Sequence, residues 1–355
     1  MAHSHTNAFD FLRVAAALLV LFSHSFPLFG LPEPAPVAGQ TFGSLAVAIF
    51  FALSGYLVTQ SWYSDPHMGR FAVRRALRIF PGLCVVTVLT VFLLGPAVTR
   101  LPLVDYFQAD APWRGLFFGT LGMGGFSLPG VFEQNPLPGG VNGSLWTIKY
   151  ELLMYVSLAL TGAMVRRIGW AWLVVVLLGG AGWLALSATG QTDVPLPGAW
   201  RFGVDVYANR VAYLSVYFFM GVGLYVNRQR VPLLWPVVAC GVLVLPFIAN
   251  VHLAMVALWL FLPYAVIVFA FRAPHFFSRL RGYDYSYGIY IYAFPVQQVC
   301  VSVGKRHGYG WGPVTLASLL ATLLLAILSW YLVEKPALKW KDRLRTARIG
   351  AYVPQ

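Results

Sequence analysis

Apolar stretches of about 20 residues recur along this chain, and at 1.5 Å rise per residue each matches the ~30 Å hydrocarbon core of a bilayer. Ten can be placed, near residues 9–29, 42–62, 77–96, 144–165, 170–188, 206–227, 232–249, 251–271, 284–303 and 313–333. Inside hydrocarbon a lone segment must bond its own backbone amides, so each stretch is expected to be a helix. The expected fold class is therefore all-α, a polytopic membrane helix bundle of about ten transmembrane helices. The division between the seventh and eighth is the weakest, resting on Asn250 and His252. Composition agrees: 59% of the 355 residues are apolar, 10% are charged and the mean hydropathy is +0.69, which excludes an ordinary soluble domain. Disorder, collagen and coiled coil are excluded on the same grounds.

The formal charge of +13 would suggest nucleic acid in a soluble protein. Here it reads as membrane orientation, because the basic residues gather beside apolar spans. One side receives Arg70, Arg74, Arg75, Arg78, Arg166, Arg167, Arg228, Arg230, Arg272, Arg279, Arg281, Lys335, Lys339, Lys341, Arg343, Arg345 and Arg348, seventeen in all. The other receives six: Arg100, Arg114, Arg201, Arg210, Lys305 and Arg306. Both termini are accordingly expected to be cytoplasmic. The apolar run Val14 to Phe22 could pass for a secretory signal. No Lys or Arg precedes Asp10, however, so it reads as a retained first span.

The longest connection, 97–143, falls on the outer side and carries Asp105, Asp110, Glu133 and a Pro/Gly/Asn-rich end from Pro129 to Gly143. Loops of that length are commonly functional. Its apolar patch from Trp113 to Phe126 suits a short helix at the membrane surface. Cys84, Cys240 and Cys300 lie apart in apolar runs with no metal-ligand spacing, so neither a disulfide scaffold nor a metal site is expected. With no repeat and no low-complexity segment, residues 1–340 read as one transmembrane domain and 341–355 as a short basic cytoplasmic tail.

Ionisable groups within apolar spans are costly and so point to function. Arg13 and His24 share the first span, eleven residues apart. That spacing puts them within about 20° of one face and about 16 Å apart along the axis. The bland alternatives are that Arg13 snorkels to the interface and His24 satisfies a backbone carbonyl. Glu151 lies about 10 Å into the fourth span, near the depth of His24, where a carboxylate could fix an imidazole's tautomer for general-base work. Its alternative is a structural ion pair with Lys149 or an arginine. Arg75 and Arg78 are neighbours on one helix face, and guanidinium forks suit phosphates; plain topology and anionic-lipid contact explain them equally well. Ser54, Gly55 and Tyr56 read foremost as close packing. In the ninth span Tyr283, Tyr287 and Tyr290 form a stripe that an interfacial belt explains only at its start.

These residues fall into pieces that together resemble the acyltransferase 3 family of integral membrane O-acyltransferases. In order they are Asp10-Phe-Leu-Arg13 ahead of His24; Phe50-Phe-Ala-Leu-Ser54-Gly55-Tyr56; Arg74-Arg75 with Arg78 and Pro81; Ser144-Leu-Trp146 leading to Glu151 and Tyr155; Tyr287-Gly-Ile-Tyr290; and Glu334-Lys335-Pro336. The resemblance implies an acyl-CoA co-substrate, usually acetyl-CoA, taken from the cytoplasm, with no bound cofactor and no metal. It implies an acceptor hydroxyl on a glycan or lipid-linked saccharide at the outer face of a bacterial inner membrane. Arg13 and His24 match the family's essential pair, and Arg75 and Arg78 its Arg-x-x-Arg motif. Catalytic roles are thus expected for His24, Arg13 and Glu151, acyl-CoA contacts for Arg75, Arg78 and Ser54, and acceptor contacts for Trp146 and Tyr290. Outer-loop residues such as Trp113, Asp105 and Asn135 would shape the acceptor site. The chain departs from many members at Ala293, within Tyr292-Ala293-Phe294-Pro295, where they carry a second His. Membrane lipids and the two substrates are the expected partners, with no nucleic acid. A multi-span transporter or flippase for a glycan-related substrate is the rival reading, though the inverted repeats common in such proteins are not visible. A catalytically silent scaffold is a third, opposed by the intact Arg13 and His24.

Overall fold

A computed structural model describes residues 7–191, 193–196, 205–280 and 282–340. The basic tail expected at 341–355, with Lys341, Arg343, Arg345 and Arg348, lies outside the described residues, as do Arg201 and Arg281. Thirteen helices are described: α1 Phe9–Phe29, α2 Phe42–Ser64, α3 Met68–Leu89, α4 Gly95–Val98, α5 Leu103–Gln108, α6 Asp110–Thr120, α7 Ile148–Arg167, α8 Ala171–Ala188, α9 Ala208–Val226, α10 Trp235–Val244, α11 Val251–Arg272, α12 Ser286–Arg306 and α13 Trp311–Ser329. Among the described residues there is no strand, only isolated bridge pairs.

Each of the ten apolar stretches is helical, and seven helices are long and apolar enough to cross a membrane. The protein is a polytopic helical membrane protein. Leucines and phenylalanines stand bare on the helices, Leu332 at 72% and Phe247 at 85% exposure, as lipid contact permits and water does not. The stretch expected at 232–249 is shorter than a span: α10 passes into a tight 3₁₀ turn at Leu245–Phe247, where Pro246 cannot continue the helical ladder. α9 and α12 occupy their expected stretches but are more polar, α12 carrying Gln297, Gln298, Lys305 and Arg306. α3 runs on through a wide π turn, Thr90–Leu94, into α4, and α13 through another, Trp330–Glu334.

Helix starts follow from local capping chemistry. The Thr41 hydroxyl accepts the Ser44 amide at the head of α2. Asn250 does the same for Leu253 at the head of α11, which is why the weakest division in the sequence holds. The 97–143 segment folds into α5 and α6 instead of one surface helix at 113–126. Gly119 brings α6 close to Thr87 of α3, and Phe126 covers Gly115 and Gly119. Trp113 and Phe117 remain exposed on the opposite side.

The described chain forms two compact units interleaved in sequence. Unit 1 comprises residues up to Ser23, Pro32–Pro66 and Tyr150–Ser286. Its core gathers Phe9, Leu53, Tyr56, Tyr225, Val266, Ile267 and Ala270. There α2 and α9 approach backbone to backbone: a Cβ at Gly55 would stand 1.9 Å from the Phe218 carbonyl oxygen, and one at Gly221 would stand 2.2 Å from that of Ala52. Gly55 is thus a packing residue. Unit 2 comprises His24–Leu31, His67–Lys149 and the chain from Tyr287 onward. It has one core around Val91, Tyr106, Leu128 and Phe132, and a second of Leu28, Phe294, Val301 and Val314.

Candidate active site

α1 is a single unbroken helix from Phe9 to Phe29, so the common face of Arg13 and His24 survives in the fold. Arg13 does not simply snorkel. Its Nη1 lies 2.9 Å from Asp284 Oδ2 and 3.5 Å from Asp10 Oδ1, within unit 1. Asp284 is itself anchored, accepting the Ser286 hydroxyl and amide at the head of α12. Asp10 accepts the Gly282 amide. A carboxylate pair thus fixes the guanidinium at one end of the first span.

His24 lies in unit 2 against Phe294 of α12, ring centroids 5.4 Å apart and planes nearly perpendicular. Leu28, one turn further along α1, joins the same core as Phe294. The imidazole is half-buried, and its Nδ1 is buried with no hydrogen-bond partner among the described residues. No backbone carbonyl satisfies it, so the bland reading from sequence is not what the fold provides. The accessible part of the side chain lies away from Nδ1.

Glycines of the long loop also pack against the Phe294 ring. A Cβ at Gly143 would come within 2.6 Å of the Phe294 ring, while one at Gly140 would rest at 3.8 Å. The loop is latched onto α12 by buried amides. Asn135 Nδ2 donates to the backbone and side-chain oxygens of Gln298 at 2.9 and 2.6 Å. Gln298 Nε2 donates to the carbonyls of Leu137 and Gly140 at 3.0 and 2.7 Å. Asn142 Nδ2 donates to the Ile291 carbonyl at 2.9 Å. Asn142 Oδ1 and Ser144 Oγ stay buried without partners among the described residues, capacity a bound substrate or water could use. Tyr290 shares a 2.6 Å hydrogen bond with Thr147, one residue beyond the half-buried Trp146.

At the other end of unit 2, Arg78 Nη1 lies 3.7 Å from Glu334 Oε2, whose side chain is 2% exposed. The guanidinium also stands 5.7 Å from the centroid of the Tyr287 ring. Tyr287 donates its hydroxyl to the Ile79 carbonyl at 2.7 Å, and Ser329 donates to Glu334 Oε1 at 3.0 Å. Glu334 sits in the π turn that widens the end of the last span, a distortion frequent at functional sites. Tyr287 and Phe294 are seven residues apart on α12. They therefore lie on nearly one face, about 10 Å apart, and a single helix backs both Arg78 and His24.

In unit 1 the Glu151 carboxylate accepts the Tyr155 hydroxyl, and among the described residues of that unit no Lys or Arg pairs with it. Ser54 is half-buried on α2. Asp284, Glu334, Phe294, Gly143 and Gln298 are the residues that sequence reasoning left without a role. Glu334 had the clearest signal, a lone carboxylate at the end of an apolar span. Among the described residues no three His, Cys, Asp or Glu side chains converge as a metal-binding group.

The family profile described as "Acyltransferase domain" matches residues 6–332. The chain belongs to the acyltransferase 3 family. It is 30% identical over 340 residues to a protein named O-acetyl transferase from Shigella phage Sf6, covering 93% of this chain and 95% of the relative. It is 32% identical over 372 aligned positions to Nodulation protein 10 of Rhizobium leguminosarum bv. viciae, covering 98% and 97%. No solved structure matches. This acyltransferase 3 member is thus an integral membrane acyltransferase. Its His24, Phe294 and Gly143 form one packed group, and Arg78, Glu334 and Tyr287 form a second.

Proposed function

We propose that the protein moves an acyl group, acetyl in the first instance, from acyl-CoA to a hydroxyl of a cell-surface or lipid-linked saccharide at a bacterial inner membrane. In this reading His24 is the general base. The observation that carries it is an imidazole half-buried in an apolar wall, held by Phe294, with no carbonyl or carboxylate bonded to Nδ1. Such a ring is positioned yet not committed to a structural bond. Nε2 takes the acceptor's proton, and the alkoxide-like oxygen attacks the thioester carbonyl. A C–O bond forms, the C–S bond breaks, and the CoA thiolate leaves and recovers the proton. Arg75 and Arg78 receive the donor's phosphates, with Glu334 and Tyr287 setting the angle of Arg78. Trp146 and Tyr290 face the acceptor. The O-acetyl transferase name of the phage relative supports the acetyl group.

The test compares O-acetylation of the cell-surface glycan by mass spectrometry in cells carrying the intact gene or His24→Ala, alongside release of CoA thiol by purified protein in liposomes. Removing a general base lowers the rate by about 10² to 10⁴. Undiminished acetylation in His24→Ala at equal protein level would discard the assignment, and a transporter would release no thiol.

A further inference from the structure

The face that the charge distribution assigns to the outside is poor in Lys and Arg, yet three of its six basic residues converge on one spot. Arg100, Lys305 and Arg306 line a recess of about 220 Å³ within unit 2, together with Glu133, Gln134 and Asn135. None of the three cations has a carboxylate in ion-pair range among the described residues, whereas Arg210, assigned to the same face, is neutralised by Asp193 through two bonds of 2.7 and 2.8 Å. Arg100 is oriented by Gln134, and the Lys305 ammonium rests 5.4 Å from the centroid of the Phe29 ring. Lys305 and Arg306 in the last turn of α12 suit that helix's dipole. The dipole does not account for Arg100, which arrives from another segment, nor for the amides of Gln134 and Asn135 lining the same half-open hollow. Topology does not account for it either, since positive-inside bias would thin cations here.

We propose that this recess binds an anionic group, a carboxylate or a phosphate, on the saccharide acceptor. Its connection to the acceptor rests on the function proposed above. The segment Gly130–Gly143 borders the recess at one end and covers Phe294 at the other. Lys305 follows Phe294 by eleven residues on α12, placing it on nearly the same face about 16 Å farther along the axis. One sugar does not span that distance. The anion therefore sits on a different unit of the acceptor from the acylated hydroxyl, and the substrate class is an acidic or phosphate-bearing oligosaccharide.

The test measures binding of tetragalacturonate, maltotetraose and monomeric galacturonate to purified full-length protein in phosphatidylcholine nanodiscs. Tetragalacturonate should bind about tenfold or more tighter than maltotetraose, weaken with added salt, and lose the advantage in a Lys305→Ala/Arg306→Ala variant. The charge-retaining Lys305→Arg/Arg306→Lys variant should keep it, which separates lost charge from lost fold. Equal binding of charged and neutral tetrasaccharides, or an advantage that survives the double alanine variant, overturns the proposal. If nanodiscs with phosphatidylglycerol abolish the advantage, the occupant is a lipid headgroup and the saccharide assignment falls. His24→Ala should still bind tetragalacturonate. Binding retained with acetylation also undiminished in His24→Ala would sink the catalytic reading and spare this one.

Discussion

The Phe294 ring meets the His24 imidazole edge-on at 5.4 Å, and the same ring leaves no room for a side chain at Gly143. The Phe294 ring, itself confined by Gly143, therefore sets the aim of the proposed base. Positional errors near 1 Å can cost about 10²-fold in rate.

Gly143→Ala should for that reason lower kcat about tenfold or more, alongside an overpacking cost of about 1–3 kcal/mol in stability, because the new methyl displaces Phe294 and with it His24. Gly140→Ala, whose methyl would sit at ordinary contact distance, should stay near the parent rate. Steady-state rates with acetyl-CoA and the native glycan decide between them. Equal losses in the two variants would show that loop glycines matter for a reason other than Phe294.

Glu334→Gln removes the negative partner of Arg78 while keeping a hydrogen-bonding group for Ser329. If Arg78 grips donor phosphates, KM for acetyl-CoA should change several-fold, more than kcat. The midpoint of thermal unfolding should fall by an amount corresponding to about 1–3 kcal/mol, the cost of an unsatisfied buried charged group. An unchanged KM with a lowered midpoint would leave Glu334 a purely structural role.

Gln298 holds the long loop through four hydrogen bonds shared with Asn135, Leu137 and Gly140. Gln298→Leu removes the donor to two part-buried loop carbonyls and one of the two acceptors of the Asn135 amide, at about 1–3 kcal/mol in all. Hydrogen exchange across residues 135–143 should accelerate, while exchange in unit 1 helices should not. Uniform acceleration throughout the chain would mean that the latch is not local.

Glu33, in the connection between α1 and α2, has its carboxyl raised above the usual 4.5 by burial, partly opposed by hydrogen bonds from Thr41 and the Gly43 amide. The native state then keeps a proton that the unfolded chain releases. The associated stability is complete below pH 4.5 and is lost as pH rises through the folded value above it. Glu33 is half-buried, so the effect should be a few degrees in unfolding midpoint. Glu33→Gln should flatten the decline between pH 4.5 and pH 7, and an unaltered profile would place the titration elsewhere.

Hydropathy alone located the seven described helices that are long and apolar enough to span, because a bilayer imposes one length and one polarity on each. It overestimated α10, where Pro246 ends the ladder early, and it could not foresee the π turns that carry α3 and α13 past their expected ends. His24, Arg13 and Arg78 were legible because a titratable group in an apolar window is costly enough to stand out. Their companions were not. Which carboxylate meets Arg78 or Arg13 depends on which helices lie side by side, and hydropathy is silent on adjacency. Phe294 and Gly143 were hidden for a different reason: one phenylalanine among 26 and one glycine among 34 carry no chemical signal, only a complementary shape. The recess at Arg100 and Lys305 required two segments some 200 residues apart in the chain.

That interleaving also governs how the molecule can be made. The chain changes unit five times, once in the middle of α1 between Ser23 and His24, and the last portion of unit 2 begins only at Tyr287. The ribosome therefore releases the partners of the earliest helix last. α1 must wait in the membrane, its imidazole uncovered, until α12 is translated and supplies Phe294. No single cut of the gene yields either half intact, so split expression or terminal truncation should produce aggregates for the quality-control proteases, while insertions into the solvent-side turns should be borne.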